Sequence, residues 1–290
     1  MFSFCADPAA IEGLTWLSCY LTTGKHMAFY MSFLVVLVLL ALAAPAAMLF
    51  GFIGALACRS RVVPLRLLGQ GYITMVRGIP DIAFFLFVPV AIDQAFEFLR
   101  HKIFCSQITQ PVWQSNEFLV CDAAKLPLGT SPQWIHEIYG FILALVAFAV
   151  VFGAFAGNTL RGAMRAVPYD QLQAAAAFGM SRRQIFWRIH LPQMWVFALP
   201  GLSNLWMILV KATPLLFLLG IEDVVYWARE LGGSKTSAHS YPHGDWRLWY
   251  FLALLVFYLA ITWLSEKFFV RLMERFAHGQ DTLGGAEAPS

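Results

Sequence analysis

Between Met27 and Cys58 the chain carries no charged side chain and no histidine, a stretch far longer than a soluble core helix needs. About 20 apolar residues let a helix cross a bilayer. Four more apolar runs follow, so five spans are expected at about 28–57, 79–99, 135–157, 194–220 and 247–270. Composition agrees. Hydrophobic residues are 59% of the 290, charged residues only 13%, and mean hydropathy is +0.65. A soluble domain has about 25% charged residues, so too little is left here to face water. Lipid offers no partner to an open strand edge, so the spans are helices. The expected class is an all-α integral membrane protein with five transmembrane helices.

The second and fourth spans are the least clean, with Asp81, Pro89 and Asp93 in one and Lys211 and Pro214 in the other. Pro45, Pro89, Pro200 and Pro214 should kink their helices or sit at their ends. Asp7, Glu12, Lys25 and His26 precede the first run without a basic leader, so a cleaved signal peptide is not expected. Orientation follows from the basic residues. An external N-terminus places twelve Lys and Arg on the cytoplasmic side, in segments 59–77, 161–188 and 267–275. Seven lie outside, and Lys211 lies within a span.

The resulting organisation is an external segment at 1–27 and a five-span region at 28–275. External loops fall at 100–134 and 221–246, and a cytosolic loop at 158–193. The tail 276–290 is expected to be disordered in the cytosol. The net charge of +3 is spread among loops, which argues against a nucleic-acid partner. No CxxC spacing suggests a metal site. Cys105 and Cys121 share one external loop and are candidates for pairing, although sequence cannot supply the geometry.

The most informative stretch is VPYDQLQAAAAFGMSRRQIFWRIHLP, Val167 to Pro192. Asp170 followed by Gln173 has the form of a capping box, and Ala174 to Ala177 are strong helix formers. Gly179 lies where a left-handed cap would end the helix. Ser181 with Gln184 can cap a second helix, which Pro192 should stop. A two-helix elbow results. Its first arm is small-sided, and its second presents Ile185 and Ile189, with Arg182, Arg183 and Arg188 for anionic partners. A docking element for a soluble protein and an amphipathic connector lying on the bilayer both fit these residues.

The same stretch resembles the coupling loop of ATP-binding-cassette importer permeases, whose pattern is EAA, three residues, Gly, nine residues, Ile, one residue, Leu-Pro. Gln173-Ala174-Ala175, Gly179, Ile189, Leu191 and Pro192 stand at those spacings. The resemblance extends to VRGIPDI (Val76 to Ile82), Leu160-Arg161-Gly162-Ala163, ALPGLSNLW (Ala198 to Trp206), VKAT (Val210 to Thr213) and LGIEDVV (Leu219 to Val225). It is similar to permease subunits of histidine, lysine/arginine/ornithine and arginine importers over most of residues 20–275. This implies the five-span type I importer fold, N-terminus outside and C-terminus cytosolic. It also implies a second, homologous permease subunit, two cytosolic ATPases, and a periplasmic or tethered amino-acid-binding protein. ATP and Mg would be used by the ATPase, with no cofactor on this chain.

Two departures matter. Gln173 replaces the family's glutamate, so a salt bridge to the ATPase becomes a neutral hydrogen bond. Asn158 stands where many relatives carry a glutamate near the end of the third span. Charge recognition then lies mainly in the other permease subunit, or the substrate is not basic. A chain lacking its own acidic ligand leans towards a heterodimer.

Four residues are candidates for the translocation path: Asn158, Asn204, Lys211 and Asp81. Each has a structural alternative. Lys211 can pair with a carbonyl or with Asp81, Asn204 can bond between helices, and Asp81 can cap its helix. Gly153 and Gly157 form a GxxxG step, a sign of close helix packing. His239 and His243 are separated by Pro242, which makes a shared metal improbable, and GGSKT (Gly232 to Thr236) lacks the glycine a phosphate loop needs. No nucleophile sits beside a base, so no enzyme is expected. A secondary transporter, a membrane enzyme and a docking scaffold are the rival classes.

Overall fold

The computed structural model describes Cys5 and residues 11–108 and 110–277, with the side chains of Arg77, Asp81 and Ala277 excepted. Five helices are long and apolar enough to cross a membrane: Gly24–Cys58, Ile82–Phe104, Gln133–Ala166, Arg182–Leu219 and Arg247–Phe276. In chain order the helices are α1 (Gly13–Leu21), α2 (Gly24–Cys58), α3 (Val63–Gly78), α4 (Asp81–Phe104) and α5 (Gln133–Ala166). Then come α6 (Tyr169–Ala177), α7 (Arg182–Ile185), α8 (Leu191–Ala212), α9 (Val224–Gly232) and α10 (Arg247–Ala277). A short hairpin, β1 (Trp113–Gln114) and β2 (Glu117–Phe118), pairs antiparallel in the loop after α4.

The third span is longer than hydropathy suggests. α5 does not stop near 157 but continues to Ala166, carrying Asn158, Arg161 and Arg165 on its last turns. Hydropathy reports where lipid ends, whereas the backbone ladder continues through any good helix formers. At the start of α4, Pro80 occupies the N-cap and Asp81 is the first helical residue. The expected cap at Asp81 is therefore one residue out, and its side chain lies outside those described. Pro45, Pro89 and Pro200 lie inside their helices, while Pro214 follows the end of α8 in a 3₁₀ segment, Thr213–Leu219. Of the tail expected to be disordered from 276, residues 276 and 277 instead close α10, because the helical ladder runs on past the apolar run, and 278–290 lie outside the described residues.

The chain divides into two compact units. The first comprises Met1–Ala43, Ile79–Ala149 and Thr213–Val256. Its core includes Phe85 against Phe148, with ring centroids 4.6 Å apart. Tyr139 donates to Asp93 Oδ1 at 2.5 Å. Two disulfides close loops here. Cys105–Cys121 joins the candidates named above, and Cys5–Cys19 was not anticipated. His101 stands beside the first pair and accepts the Cys121 N–H through Nδ1 at 3.1 Å.

Around Cys19 lies a ring cluster. His26 Nε2 bonds the Tyr250 hydroxyl at 2.7 Å, which donates to the Tyr20 hydroxyl at 3.2 Å. The Tyr20 hydroxyl also meets His243 Nε2 at 3.0 Å. His243 is thus engaged with aromatic partners. Asp223 is fully buried and caps α9, its Oδ1 accepting from the Val225 and Tyr226 amides at 3.1 and 2.9 Å. Burial raises its carboxyl to about 6 against those bonds.

The second unit comprises Ala44–Gly78, Val150–Ala212 and Phe257–Ser290. Glycine steps set its helix spacing. A Cβ on Gly153 would lie 2.6 Å from Phe50 Cβ, and one on Gly51 would lie 2.8 Å from Ala156 Cβ. α2 and α5 approach backbone to backbone, as the GxxxG step implies. Gly69 of α3 meets Ala57 of α2 equally closely, and Gly201 of α8 abuts Thr159 of α5.

Candidate functional site: the 167–192 elbow

The elbow begins where α5 ends. Pro168 holds the N-cap of α6, with φ −55° and ψ 127°, and makes no side-chain cap. Asp170 therefore lies inside the first turn, and the expected Asp170–Gln173 capping box does not form. Proline takes that place because its fixed φ suits a helix start and α6 itself uses no N–H at that position. The Asp170 carboxylate still lies near the positive end of the helix.

The turn matches expectation. Gly179 has φ +80°, a conformation that strains any residue with a Cβ. The Gly179 amide donates to Ala176 at 3.0 Å and the Met180 amide to Ala175 at 3.2 Å. This nested pair is a Schellman motif, which satisfies the last carbonyls of α6. Ser181 then starts α7 with a complete capping box. Gln184 N–H donates to Ser181 Oγ at 3.4 Å, and Ser181 N–H donates to Gln184 Oε1 at 2.8 Å.

Pro192 does not stop the helix. Phe186–His190 forms a π-turn, in which the Leu191 amide donates to Phe186 C=O, five residues back. Beyond it α8 continues directly with helical backbone at Leu191. The wider turn relieves the contact a proline ring makes with the carbonyl four residues before it. α7, the π-turn and α8 therefore follow one another without a loop.

Burial separates an anchored side of the elbow from an exposed one. Val167, Met164, Met194, Ala163 and Ala198 form one apolar cluster, with Leu172 and Leu191 packed on it. Ala175 is buried, and Ile185, Ile189 and Leu191 are half-buried, so the second arm presents fewer apolar groups than its spacing suggests. Gln173, Ala174, Ala176, Ala177, Arg182, Arg183, Trp187, Arg188 and Pro192 are exposed. Phe178, beside the turning glycine, is 89% exposed. An aromatic knob flanked by alanines and arginines is a face that another protein can cover.

The candidate path residues fall at separate places. Asn158 is half-buried on α5, Asn204 is exposed on α8, and Lys211 is exposed in the last turn of α8. Pairing of Lys211 with Asp81 falls on a side chain outside those described. A cavity of about 210 Å³ lies among Ala47, Met48, Phe152, Trp195, Leu202 and Phe269, and none of the four candidates lines it. Its walls are apolar, so a charged amino acid would lose its hydration there without replacement. His190 was not singled out from sequence. It is 5% exposed, and Nε2 donates to the Met164 carbonyl at 2.8 Å. It occupies the unconstrained position of Ile-x-Leu-Pro, where the motif carries no signal.

Comparison with known proteins places this geometry. A family model described as binding-protein-dependent transport system inner membrane component matches residues 47–277. The histidine/lysine/arginine/ornithine transport system permease protein HisQ of Salmonella typhimurium is 30% identical over 234 residues, covering 80% of this chain and 86% of that protein. The arginine ABC transporter permease protein ArtQ of Escherichia coli is 29% identical over 210 residues, 72% of this chain and 78% of that one. A crystal structure of an amino acid ABC transporter with histidines has a TM-score of 0.60 at 18% identity, covering 91% of this chain and 99% of that chain. That last likeness is one of fold. With its five spans and its helical elbow, the chain belongs to the family of inner membrane components of binding-protein-dependent transport systems.

Proposed function

We propose that this permease forms half of the translocation pathway of an ATP-driven importer of basic amino acids: arginine, histidine, lysine or ornithine. A cytosolic ATPase, which uses ATP and Mg, seats on the 167–192 elbow and supplies the motion. The other half is a second homologous permease, a different chain, and a periplasmic or tethered binding protein delivers the solute. The elbow carries this reading: its buried side is fixed to the bundle, while Phe178 and the Gln173–Ala177 surface are left outward. The printed substrates of the HisQ and ArtQ relatives support the choice of basic amino acids. Asn158, Asn204, Lys211 and Asp81 are the path residues to examine.

The orientation belongs to the same reading, with residues 1–27, 100–134 and 221–246 external and 158–193 cytosolic. Span parity supports it. Cys19 precedes the first span and Cys105 follows the second, so both disulfides fall on one side, while the free Cys58 ends the first span on the other. Disulfides persist in oxidising compartments.

The test is reconstitution of the chain with its permease partner, ATPase and binding protein in liposomes. Uptake of labelled arginine or histidine that requires ATP inside is the expected result. Uptake that continues without the ATPase would instead indicate a secondary transporter.

A further inference from the structure

α5 ends at Ala166, and the residue four places beyond Met164 is Pro168. A helical carbonyl normally accepts from the N–H four residues on, and proline has none. The Met164 carbonyl is therefore stripped of its helical donor by Pro168, the N-cap of the elbow's first helix. Met164 is 3% exposed, so its surroundings offer little water. A buried carbonyl without a donor is costly. His190 supplies one, 26 residues later in the chain, through Nε2 at 2.8 Å.

The tautomer follows from the partner. A carbonyl only accepts, so Nε2 bears the hydrogen. Arg59 Nη1, just past the end of α2, stands 3.4 Å from the same nitrogen. Guanidinium only donates, so Arg59 is a neighbour of this bond and not a second donor to it.

The position of His190 matters more than its bond energy. It is the last residue of the π-turn, and Pro192 two residues on donates nothing to the helical ladder. A widened turn followed by a proline is the place where α7 would most readily bend away from α8. Instead the turn is tied by a side chain to the last turn of α5.

We propose that His190 is a positioning residue, a latch that fixes the elbow's exit to the Ala166 end of α5. The two arms' roots are then held together, and force applied at the Phe178 tip moves α5 and α8 together and does not dissipate in the π-turn. This inference rests on the elbow being the ATPase seat.

The test uses the complete transporter in proteoliposomes and reads solute moved per ATP hydrolysed. His190→Leu keeps bulk and loses the N–H, while His190→Asn places its amide too short, near the Nδ1 position. Both are expected to lower the ratio on the order of tenfold, the scale set by losing a buried carbonyl's donor. His190→Gln, whose amide reaches the Nε2 position, is expected to stay within about twofold of the parent. Hydrogen exchange of residues 182–191 should quicken in the first two variants and not in the third.

A merely structural histidine would make all three variants alike, which overturns the latch. So would an unchanged ratio in His190→Asn. Gly179→Val, measured alongside, separates the two readings. If it uncouples while His190→Asn does not, the elbow stands and the latch falls. If neither uncouples, both fall.

Discussion

The amide of Met180 donates to the carbonyl of Ala175 across a reversed turn at Gly179, whose φ is +80°. Only a residue without a Cβ takes that conformation freely, and a β-branched one costs about 1–2 kcal/mol there. Gly179→Val should leave membrane insertion and total helix content unchanged, because no packing neighbour lies within 4 Å of the added Cβ. It should redirect α7, so that ATP hydrolysis continues without uptake. Gly179→Asn, which tolerates the left-handed region, should fall between. Parallel assays of hydrolysis and transport decide this.

Phe178 contributes little to the isolated subunit, being 89% exposed. Phe178→Ala should therefore change the subunit's stability little, within about 0.5 kcal/mol. If it is the knob of the ATPase seat, affinity for the ATPase should drop by about tenfold or more. Titration of the detergent-solubilised permease with labelled ATPase measures the loss, and unchanged affinity would remove Phe178 from the interface.

Gly153 tests the helix contact. A side chain there collides with Phe50 Cβ and with the Tyr72 hydroxyl, which donates to Val150 C=O. Gly153→Leu should destabilise by about 1–3 kcal/mol or more through overpacking, seen as earlier thermal aggregation. Gly162→Leu on the same helix has open space around it and should behave like the parent.

Asp223 gives a pH dependence with a definite sign. Its folded-state value, about 6, stands above the ordinary 3.8, so the folded form holds the proton more tightly. The stabilising contribution is full below 3.8 and is lost as pH rises through about 6. Asp223→Asn keeps an oxygen to cap α9 and removes the charge. It should be more stable than the parent at pH 7.5, by on the order of 1–3 kcal/mol, and the advantage should vanish near pH 4. Thermal melts at both pH values check the crossover.

The spans were legible because hydropathy answers to lipid, and Gly179, the Ser181–Gln184 box and the Gly153–Gly157 step were legible because each is a local rule with a local cause. α1, α3 and α9 were not. They are short or polar-faced helices whose formation depends on packing, as Gly69 against Ala57 illustrates. The misreadings share a source. Asp170–Gln173 and Pro192 were judged by their own residue types, whereas Pro168 and the π-turn decided the outcome. His190 escaped notice because its partner is a backbone carbonyl, whose availability depends on a proline elsewhere.

The Cys5–Cys19 and Cys105–Cys121 bonds also bear on biogenesis. The apolar helices can insert without them: Cys105–Cys121 closes a loop flanked by two spans, and Cys5–Cys19 closes one that precedes the first span. Synthesis in a reducing extract would therefore deliver a fully threaded chain with both clasps open, and only a later exposure to oxidant would shut them. Two preparations with the same mass apart from four hydrogens would then differ in how firmly these two loops are held.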